Sequence, residues 1–369
     1  MKKFLALLVC FALSLTLVAC GGGSEAGSGE IDLESEDVLT GTSESYGGTV
    51  EVNSAKESYN RLTGETNLAN DRANYRPIAI SVNNITACLP QKGLSSCDLL
   101  FEIETEGGIT RTMAIYSDTR EVELVGSVRS LRNQFMEIVY PFDPIIVHIG
   151  ASVFAEAAVA ENNFRTIDAN VFRSAIWRDL SRKGKYSAEH TYFTSASLIE
   201  SGIQTTGIRT ECDSTVDAFN FVEEGTQTTP ANGTASAVTW DFSTGYDGDF
   251  RYNSETAMYE AWQHGKQRYD ANNDTNLAFK NVFVVFVPRD IYEGSESYAG
   301  GLPKYDYTTG GTAYYFSNGS YEEVTWQKGD YSSVMTFWRA DGSELPVNTG
   351  RSYIAVVRTE NTETLNITA

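Results

Sequence analysis

The chain has 369 residues and a formal net charge of −21, from 49 acidic and 28 basic residues. Contacts to nucleic-acid phosphates need a basic face, so this balance argues against a nucleic-acid partner. Beyond its N-terminal segments the chain keeps roughly 300 residues, which exceed one typical domain and predict two.

The first 20 residues have the pattern of a bacterial lipoprotein signal peptide. Lys2 and Lys3 precede an apolar run from Phe4 to Val18, and the segment ends in Leu17-Val18-Ala19-Cys20. The run is shorter than the ~20 apolar residues that a membrane-spanning helix needs. We therefore expect cleavage before Cys20, which would carry a lipid such as palmitate and anchor the chain to the extracytoplasmic face of the cell membrane.

An acidic tether is predicted between this anchor and the folded part, over residues 21–59. Its first 30 residues, 21–50, hold seven acids and no Lys or Arg among many Gly and Ser. Such a segment cannot bury enough apolar surface to fold, so we expect a flexible spacer.

Residues 60–222 are predicted to form an N-terminal domain that mixes helices and strands. Apolar runs and period-two alternation predict strands at 78–82, 99–104, 113–116, 122–125, 144–148 and 187–194. Helices are predicted after Val128, with Ser127 or Ser130 as N-cap, at 153–161 with Ser152 as N-cap, and at 195–202. The fold class expected here is α/β or α+β.

Residues 237–369 are predicted to form a mainly antiparallel, β-rich C-terminal domain. The aperiodic run 223–236 is the predicted linker, and turns such as Asn318-Gly319 are strong hairpin signals. The many Tyr and Trp residues of this half either fill its core or line a sugar-binding surface.

Arginines are concentrated at two places in the N-terminal half. Arg129 and Arg132 are expected at a helix start, where free N–H groups and the helix dipole favour an anion. Residues 165–185 hold six basic and two acidic side chains, inside a strongly acidic chain. The alternative is that Arg129 and Arg132 form ion pairs with Glu102, Glu104 and Glu106, and the sequence leaves both interpretations open.

No motif in the sequence fixes a reaction. The three histidines have no metal-ligand spacing, and no nucleotide, dinucleotide or nucleophile-elbow motif occurs, so we expect neither a metal nor another cofactor. The candidate ligand-binding residues are Arg111, Arg129, Arg132, Ser152, Arg173 and Arg182. The candidate catalytic residues are Glu106, His148 and His190.

Three functions stay open for these candidates. The first is binding of an anionic cell-envelope ligand, such as a phosphate- or carboxylate-bearing glycopolymer or a lipid-linked phosphate. The second is an enzyme of envelope-polymer metabolism, a hydrolase or transferase that uses Glu106 or His148, although His148 equally suits a core histidine bonded to the backbone. The third is docking of an envelope protein.

Several motifs, taken in order, resemble those of the YerB-like lipoproteins. They are Arg-Pro-Ile-Ala-Ile-Ser-Val-Asn-Asn (76–84), Pro-Gln-x-Gly-Leu (90–94), Glu-Gly-Gly-Ile-Thr-Arg (106–111), Val-Arg-Ser-x-Arg (128–132), Val-His-x-Gly-x-Ser (147–152), Ser-Arg-Lys (181–183), His-x-x-x-Thr (190–194), Lys-Asn-Val (280–282), Trp-x-Lys (326–328) and Pro-x-x-x-Gly (346–350). The resemblance implies a two-domain, membrane-anchored lipoprotein whose activity is not established. The chain departs from the family pattern at Cys88, Cys97 and Tyr269, where a His is frequent at the last position.

The cysteines allow one further prediction. Cys88 and Cys97 flank a short segment containing Pro90 and Gly93 in an exported chain, so we predict a disulfide between them and a free thiol at Cys212.

The lipid anchor is tested by replacing its attachment residue. Cys20→Ala should release the protein from membranes into the soluble fraction, because no other lipid attachment site is predicted. The measurement is fractionation of cells that express either form, followed by a high-salt wash of the membranes. A variant that still sediments with washed membranes would contradict the signal-peptide prediction.

Overall fold

The computed structural model describes residues 56–120, 122–213 and 215–369, in which strands dominate and helices are few. The predicted signal peptide, the lipid site at Cys20 and most of the tether lie outside the described residues. Among the described residues, no helix combines the length and the apolar character that crossing a membrane requires.

The first half of the described chain contains strands and three α-helices. In chain order these are β1 (Lys56–Asn60), β2 (Glu65–Ala69), β3 (Ile78–Asn83), β4 (Leu99–Glu104), β5 (Thr110–Tyr116), β6 (Val125–Gly126), α1 (Asn133–Val139), β7 (Ile145–His148), α2 (Val153–Glu161), β8 (Ile167–Asp168), β9 (Trp177–Arg178), β10 (Tyr192–Thr194) and α3 (Ala196–Thr206).

The second half contributes strands. These are β11 (Gly233–Thr234), β12 (Ala237–Ser243), β13 (Tyr246–Asn253), β14 (Met258–Gln263), β15 (Lys266–Gln267), β16 (Tyr269–Asp270), β17 (Thr275–Asn276), β18 (Ala278–Phe279), β19 (Asn281–Val287), β20 (Arg289–Ile291), β21 (Pro303–Tyr305), β22 (Gly311–Ser317), β23 (Ser320–Lys328), β24 (Met335–Trp338), β25 (Ser352–Arg358) and β26 (Asn366–Thr368).

Both halves contribute to one eleven-stranded sheet, which we call the central sheet. Its order is β11-β23-β22-β19-β25-β4-β5-β3-β7-β8, with β24 paired to β23. The halves meet where β25 and β4 run parallel, with Ile354 opposite Phe101. Strands from both sides of the predicted linker therefore belong to the central sheet. The limits of the two domains stay a prediction.

The central sheet is covered on both faces, which explains its apolar strands. All seven residues of β19, Asn-Val-Phe-Val-Val-Phe-Val, are buried, as expected of a strand without a solvent face. On one face Phe283 and Ile354 join the core that contains Phe135 and Met136 of α1. On the opposite face, Tyr353 packs against aromatic residues of a second sheet.

This second sheet has the order β15-β14-β13-β12-β26, with β18 paired to β14. Its Phe250 ring lies 4.6 Å from the Tyr353 ring, and its Trp240 ring lies 6.2 Å from it. Trp240, Tyr259 and Phe250 are at most 1% exposed. These aromatic residues of the second half are core residues, each contributing roughly 1.5 to 3 kcal/mol by burial, rather than part of a sugar-binding surface.

Two local predictions, the N-cap of α2 and the turn between β22 and β23, are confirmed. Ser152 caps α2 by accepting a hydrogen bond from the Ala155 N–H. Asn318 and Gly319 both have positive φ, 51° and 69°, as a two-residue hairpin turn requires, and they join β22 to β23.

The structure corrects three expectations about secondary structure. Of the predicted strand 122–125, only Val125 enters β6, and of 187–194 only the last three residues form β10. Helix α1 begins at Asn133, after Arg132, and its N-terminal residue lacks a side-chain cap, so Ser127 and Ser130 are not caps. The backbone before α1 instead bonds to strands, since the Arg129 N–H donates to Ser81 O.

The predicted disulfide is also wrong in this structure, because Cys88 and Cys97 are free, buried thiols. The Cys88 Sγ–H donates to Ile85 O, and the Cys97 Sγ–H donates to Leu94 O. Burial raises the pKa of Cys88 to about 12 and that of Cys97 to about 11, which keeps both thiols protonated and unreactive at neutral pH.

A buried ion pair links the two halves across β4. Glu102 is 1% exposed and receives hydrogen bonds from Arg268 Nη1 at 3.1 Å, Tyr353 Oη at 2.9 Å and Asn84 Nδ2 at 2.7 Å. Glu102 belongs to the first half, whereas Arg268 and Tyr353 belong to the second. Removing one partner of such a pair leaves a buried charge without compensation.

Arg268→Ala should therefore lower the free energy of unfolding by about 3 to 5 kcal/mol. The exposed Arg251, which pairs with Asp249 on the second sheet, provides the matched control, since losing a surface pair costs at most about 1 kcal/mol. Urea unfolding followed by circular dichroism measures both. Equal losses in the two variants would mean that the buried pair does not hold the halves together.

Candidate functional site

Four arginines with two glutamates and a histidine converge near one end of β3 and β5. Strand β3 ends at Asn83, directly opposite Arg111 near the start of β5. The chain from Ser127 to Arg132 runs across this end, since Val128 bridges Val82. We call Glu106, Arg111, Arg129, Arg132, Arg182, Glu189 and His190 the arginine cluster.

Glu106 joins two of these arginines. Its carboxylate accepts hydrogen bonds from Arg132 Nε at 2.8 Å and Arg132 Nη2 at 2.5 Å, a bidentate pair. Arg111 Nη2 lies 3.5 Å from the same carboxylate, and Arg111 Nη1 donates to Ser130 O at 2.6 Å. The pairing of Arg132 with Glu106 was one alternative left open by the sequence.

Glu106, Arg111 and Arg132 together bring one negative charge and two positive charges. Burial would raise the pKa of Glu106, but hydrogen bonds from Arg132 and the charges of Arg111 and Arg132 outweigh it and lower the pKa to about 2. Burial, and then repulsion from Arg132, lower the pKa of Arg111, which is 1% exposed. One carboxylate therefore serves two guanidiniums, and Arg111 lies in a setting that disfavours its positive charge.

The other side of the arginine cluster centres on His190. Its Nδ1 lies 2.9 Å from Asn83 Nδ2, and its Nε2 lies 3.4 Å from Glu189, whose other oxygen lies 3.5 Å from Arg129 Nη1. Burial lowers the pKa of His190; Glu189 opposes this effect, while Arg129 and Arg182 reinforce it. The ring is therefore neutral at pH 7, and four guanidiniums share two carboxylates.

Several buried polar atoms of this region have no hydrogen-bond partner within the described chain. They are Nε of Arg111, Nε of Arg129, Nε of Arg182 and Oγ of Ser127. Buried polar groups in native proteins are nearly always paired, with protein, water or ligand. Arg72, Arg268, Arg289 and Arg339 also have a buried Nε without a partner in the described residues. What sets this region apart is therefore its excess of guanidiniums over carboxylates, which suits an anion.

The remaining predicted site residues, His148, Ser152 and Arg173, are not members of the arginine cluster. His148 is 3% exposed, and its two ring nitrogens lie 2.7 Å from Gly150 O and 2.9 Å from Thr166 Oγ1. Burial lowers its pKa, so it is a neutral core histidine. Ser152 caps α2, and Arg173 lies on the short turn Arg173–Ala175.

The sequence analysis did not name Asn83 as a site residue, considered Ser127 only as a helix cap, and did not predict the contact of Glu189 with His190. The signal for Asn83 was the Asn-Asn pair at the end of a buried apolar strand, where side chains face the sheet edge. Arg132 is the N-cap residue directly before α1, whereas Arg129 lies three residues earlier, so only Arg132 adjoins the start of this seven-residue helix.

No group of three or more His, Cys, Asp or Glu side chains within the described ranges is arranged to hold a metal ion. Guanidiniums donate hydrogen bonds and cannot ligate a cation, so the arginine cluster suits phosphate or carboxylate oxygens.

Two family models match the chain on either side of the predicted linker. "Protein of unknown function (DUF3048) N-terminal domain" matches residues 62–209, and "Protein of unknown function (DUF3048) C-terminal domain" matches residues 238–354. The arginine cluster lies entirely within the first match.

A curated relative and a solved structure are also similar. A candidate lipoprotein, YerB of Bacillus subtilis strain 168, is 28% identical over 291 residues, which cover 76% of this chain and 81% of YerB. The crystal structure of YerB from Bacillus subtilis matches with a TM-score of 0.72 and 25% identity, covering 84% of this chain and 99% of that chain.

The ion pair of Glu106 with Arg132 makes the free energy of unfolding depend on pH. Because its folded pKa of about 2 is below its ordinary 4.5, Glu106 stabilises the fold above pH 4.5, and this contribution is lost as the pH falls toward 2. We expect Glu106→Gln to lose about 2 to 3 kcal/mol at pH 7, with the difference from wild type shrinking below pH 4.5. Urea unfolding at several pH values measures this, and a difference independent of pH would contradict it.

Proposed function

The chain belongs to the DUF3048 family, and from its arginine cluster we propose that it is a membrane-anchored extracytoplasmic lipoprotein that binds an anionic cell-envelope ligand. The ligand class is a phosphate- or carboxylate-bearing glycopolymer or a lipid-linked phosphate. The observation that carries this proposal is the excess of positive charge in the arginine cluster, where four arginines have only Glu106 and Glu189 as ion-pair partners within the described chain.

Electrostatics supports an anion over a neutral ligand. Four arginines face Glu106 and Glu189, and the neighbouring Glu102 and Glu104 are engaged by arginines of the second half, Arg268 and Arg289. The excess positive charge is thus local to the arginine cluster, in a chain whose net charge is −21. An anion bound there would relieve repulsion among the guanidiniums and satisfy their free donors.

The location is supported by the lipoprotein pattern around Cys20 and by the relative whose name describes it as a candidate lipoprotein. A lipid anchor followed by an acidic tether would hold the folded part close to the outer surface of the membrane. Phosphate-bearing polymers and lipid-linked phosphates would be within reach of the arginine cluster at that surface.

An enzyme that uses Glu106 or His148 is less well supported. Glu106, with a pKa of about 2, has no proton to donate at neutral pH and is a weak base. Both ring nitrogens of His148 are hydrogen-bonded inside the protein, so neither is available to a substrate. These observations favour binding over catalysis.

Inorganic phosphate tests the anion site. For the full-length protein in detergent, phosphate at about 100-fold above its Kd should raise the Tm by about 2 to 4 °C, and added sodium chloride should weaken the effect. Arg129→Ala should abolish this response while leaving the Tm without phosphate nearly unchanged, because its pair with Glu189 is partly exposed.

Arg165→Ala is the matched control, since Arg165 is an exposed arginine of the basic segment outside the cluster. It should keep the full phosphate response. Equal phosphate responses in wild type and Arg129→Ala, or a large loss of stability in Arg129→Ala without any response in wild type, would refute the anion site.

A further inference from the structure

A loop of the second half covers one side of the arginine cluster. The connection from β20 to β21 includes residues 293–302, and the centre of its Tyr298 ring lies 6.0 Å from the guanidinium of Arg132. Beside this contact, the Gly107 N–H donates a hydrogen bond to Ala299 O at 2.6 Å. Gly107 directly follows the glutamate that pairs with Arg132, so the loop borders this ion pair.

The arginines on this side of the arginine cluster are closed to solvent. Arg132 is 6% exposed and Arg111 is 1% exposed. A phosphate or carboxylate group from outside the protein can contact these two guanidiniums only after a covering segment moves. Residues 293–302 are such a segment, because Tyr298 packs on Arg132.

The loop is hydrogen-bonded mainly to itself. Ser295 donates from both its backbone N–H and its Oγ–H to Tyr292 O, and its Oγ accepts from the Leu302 N–H at 2.9 Å. The Tyr298 N–H donates to Ser295 O, and the Gly301 N–H donates to Tyr298 O. Because these bonds close within the loop, its shape does not depend on the first half, and the loop can move as one unit.

Few contacts tie residues 293–302 to the first half. Among the described residues, one hydrogen bond crosses between them, from the Gly107 N–H to Ala299 O. The exposed residues of the loop are Glu293, Gly294, Glu296, Ser297, Ala299 and Gly300. A segment with few buried contacts and one such bond opens at a lower free energy than the core around it.

The base of the loop is fixed on one side. Tyr292 stacks on Phe154 of α2 with ring centres 4.2 Å apart, and its Oη accepts a hydrogen bond from Asn133 Nδ2 at 2.9 Å. On the other side, Gly300 and Gly301 have φ of 69° and 75°, a region that glycine enters without a steric penalty. This arrangement suits a hinged loop, since hinges are a few loop residues that absorb changes in φ and ψ.

We propose that residues 293–302 form a lid, which opens to admit the anion to Arg111 and Arg132 and then closes over it. This inference rests on the proposed anion site and adds how the ligand enters that site. The lid belongs to the second half and the arginine cluster to the first, so both halves take part in holding the ligand. Closure removes the bound anion from water, which strengthens its hydrogen bonds to the guanidiniums.

A disulfide that locks the lid tests this inference. A Cβ atom added at Gly107 would lie 3.7 Å from the Ala299 Cβ, close to the ~3.8 Å that is typical of disulfides. We therefore expect the full-length double variant Gly107→Cys/Ala299→Cys, in detergent, to form this bond when it is oxidised. Protein oxidised in the presence of radioactive inorganic phosphate should retain phosphate through gel filtration and release it on reduction. Protein oxidised first and then given phosphate should retain none, because a locked lid excludes it.

The two orders of addition use the same chain, so any strain from a side chain at Gly107, whose φ is 70°, affects both equally. Ala299→Cys alone is the matched control and should retain phosphate in neither order. Equal retention by the double variant in the two orders would overturn the lid and leave the anion site standing. The same conclusion would follow if neither order retained phosphate while wild type still showed its thermal response to phosphate. Absence of that thermal response in wild type would refute the anion site and the lid together.

Hydrogen exchange of the wild-type protein gives a second measurement that needs no cysteine. Phosphate should slow deuterium uptake by the peptide that contains residues 293–302, because closure over the anion protects the loop. Uptake at the turn between β22 and β23 should stay unchanged, and Arg129→Ala should show no slowing in the loop. Equal uptake by the loop with and without phosphate, in a wild-type protein that responds thermally to phosphate, would overturn the lid whatever the double variant does.

Discussion

Strand β4 pairs with β5 on one side and with β25 on the other, and this position determines which arginines its two glutamates contact. This strand belongs to the first half, yet one of its two neighbours, β25, belongs to the second. Its apolar residues Phe101 and Ile103 enter the core on the α1 side. Its acidic residues Glu102 and Glu104 consequently meet the second half, where Arg268 and Arg289 pair with them.

That distribution leaves the arginine cluster short of negative charge. Had Glu102 and Glu104 turned toward Arg129 and Arg132, the arginines would be neutralised by the same strand. Only Glu106 and Glu189 make ion pairs with these arginines in the described chain. The proposed anion site therefore depends on the way the two halves share β4, because this sharing keeps Glu102 and Glu104 away from the arginine cluster. The same sharing places strands of both sequence halves in the central sheet.

The sequence was informative where the deciding contact is local and uninformative where it is distant. The Ser152 cap and the Asn318-Gly319 turn depend on residues within a few positions, and both were predicted. The arginines that pair with Glu102 and Glu104 lie far along the chain, in the second half. No local pattern could therefore show that these glutamates pair with distant arginines and not with Arg129.

The same limit explains why the predicted disulfide between Cys88 and Cys97 is wrong, since burial of each thiol beside a carbonyl acceptor is a property of the fold. Of the ion pairs in the candidate site, that of Arg132 with Glu106 was one of the alternatives the sequence offered, whereas that of Arg129 with Glu189 was not.

The measurement that tests the central claim most directly is a crystal structure of the protein grown with selenate, an anion of phosphate's size whose selenium is located by anomalous scattering. We predict one anomalous peak within hydrogen-bond distance of guanidinium groups of the arginine cluster, with Glu102 and Glu104 still paired to the second half. A cluster filled by water alone at saturating selenate, or Glu102 and Glu104 turned toward these arginines, would contradict the account.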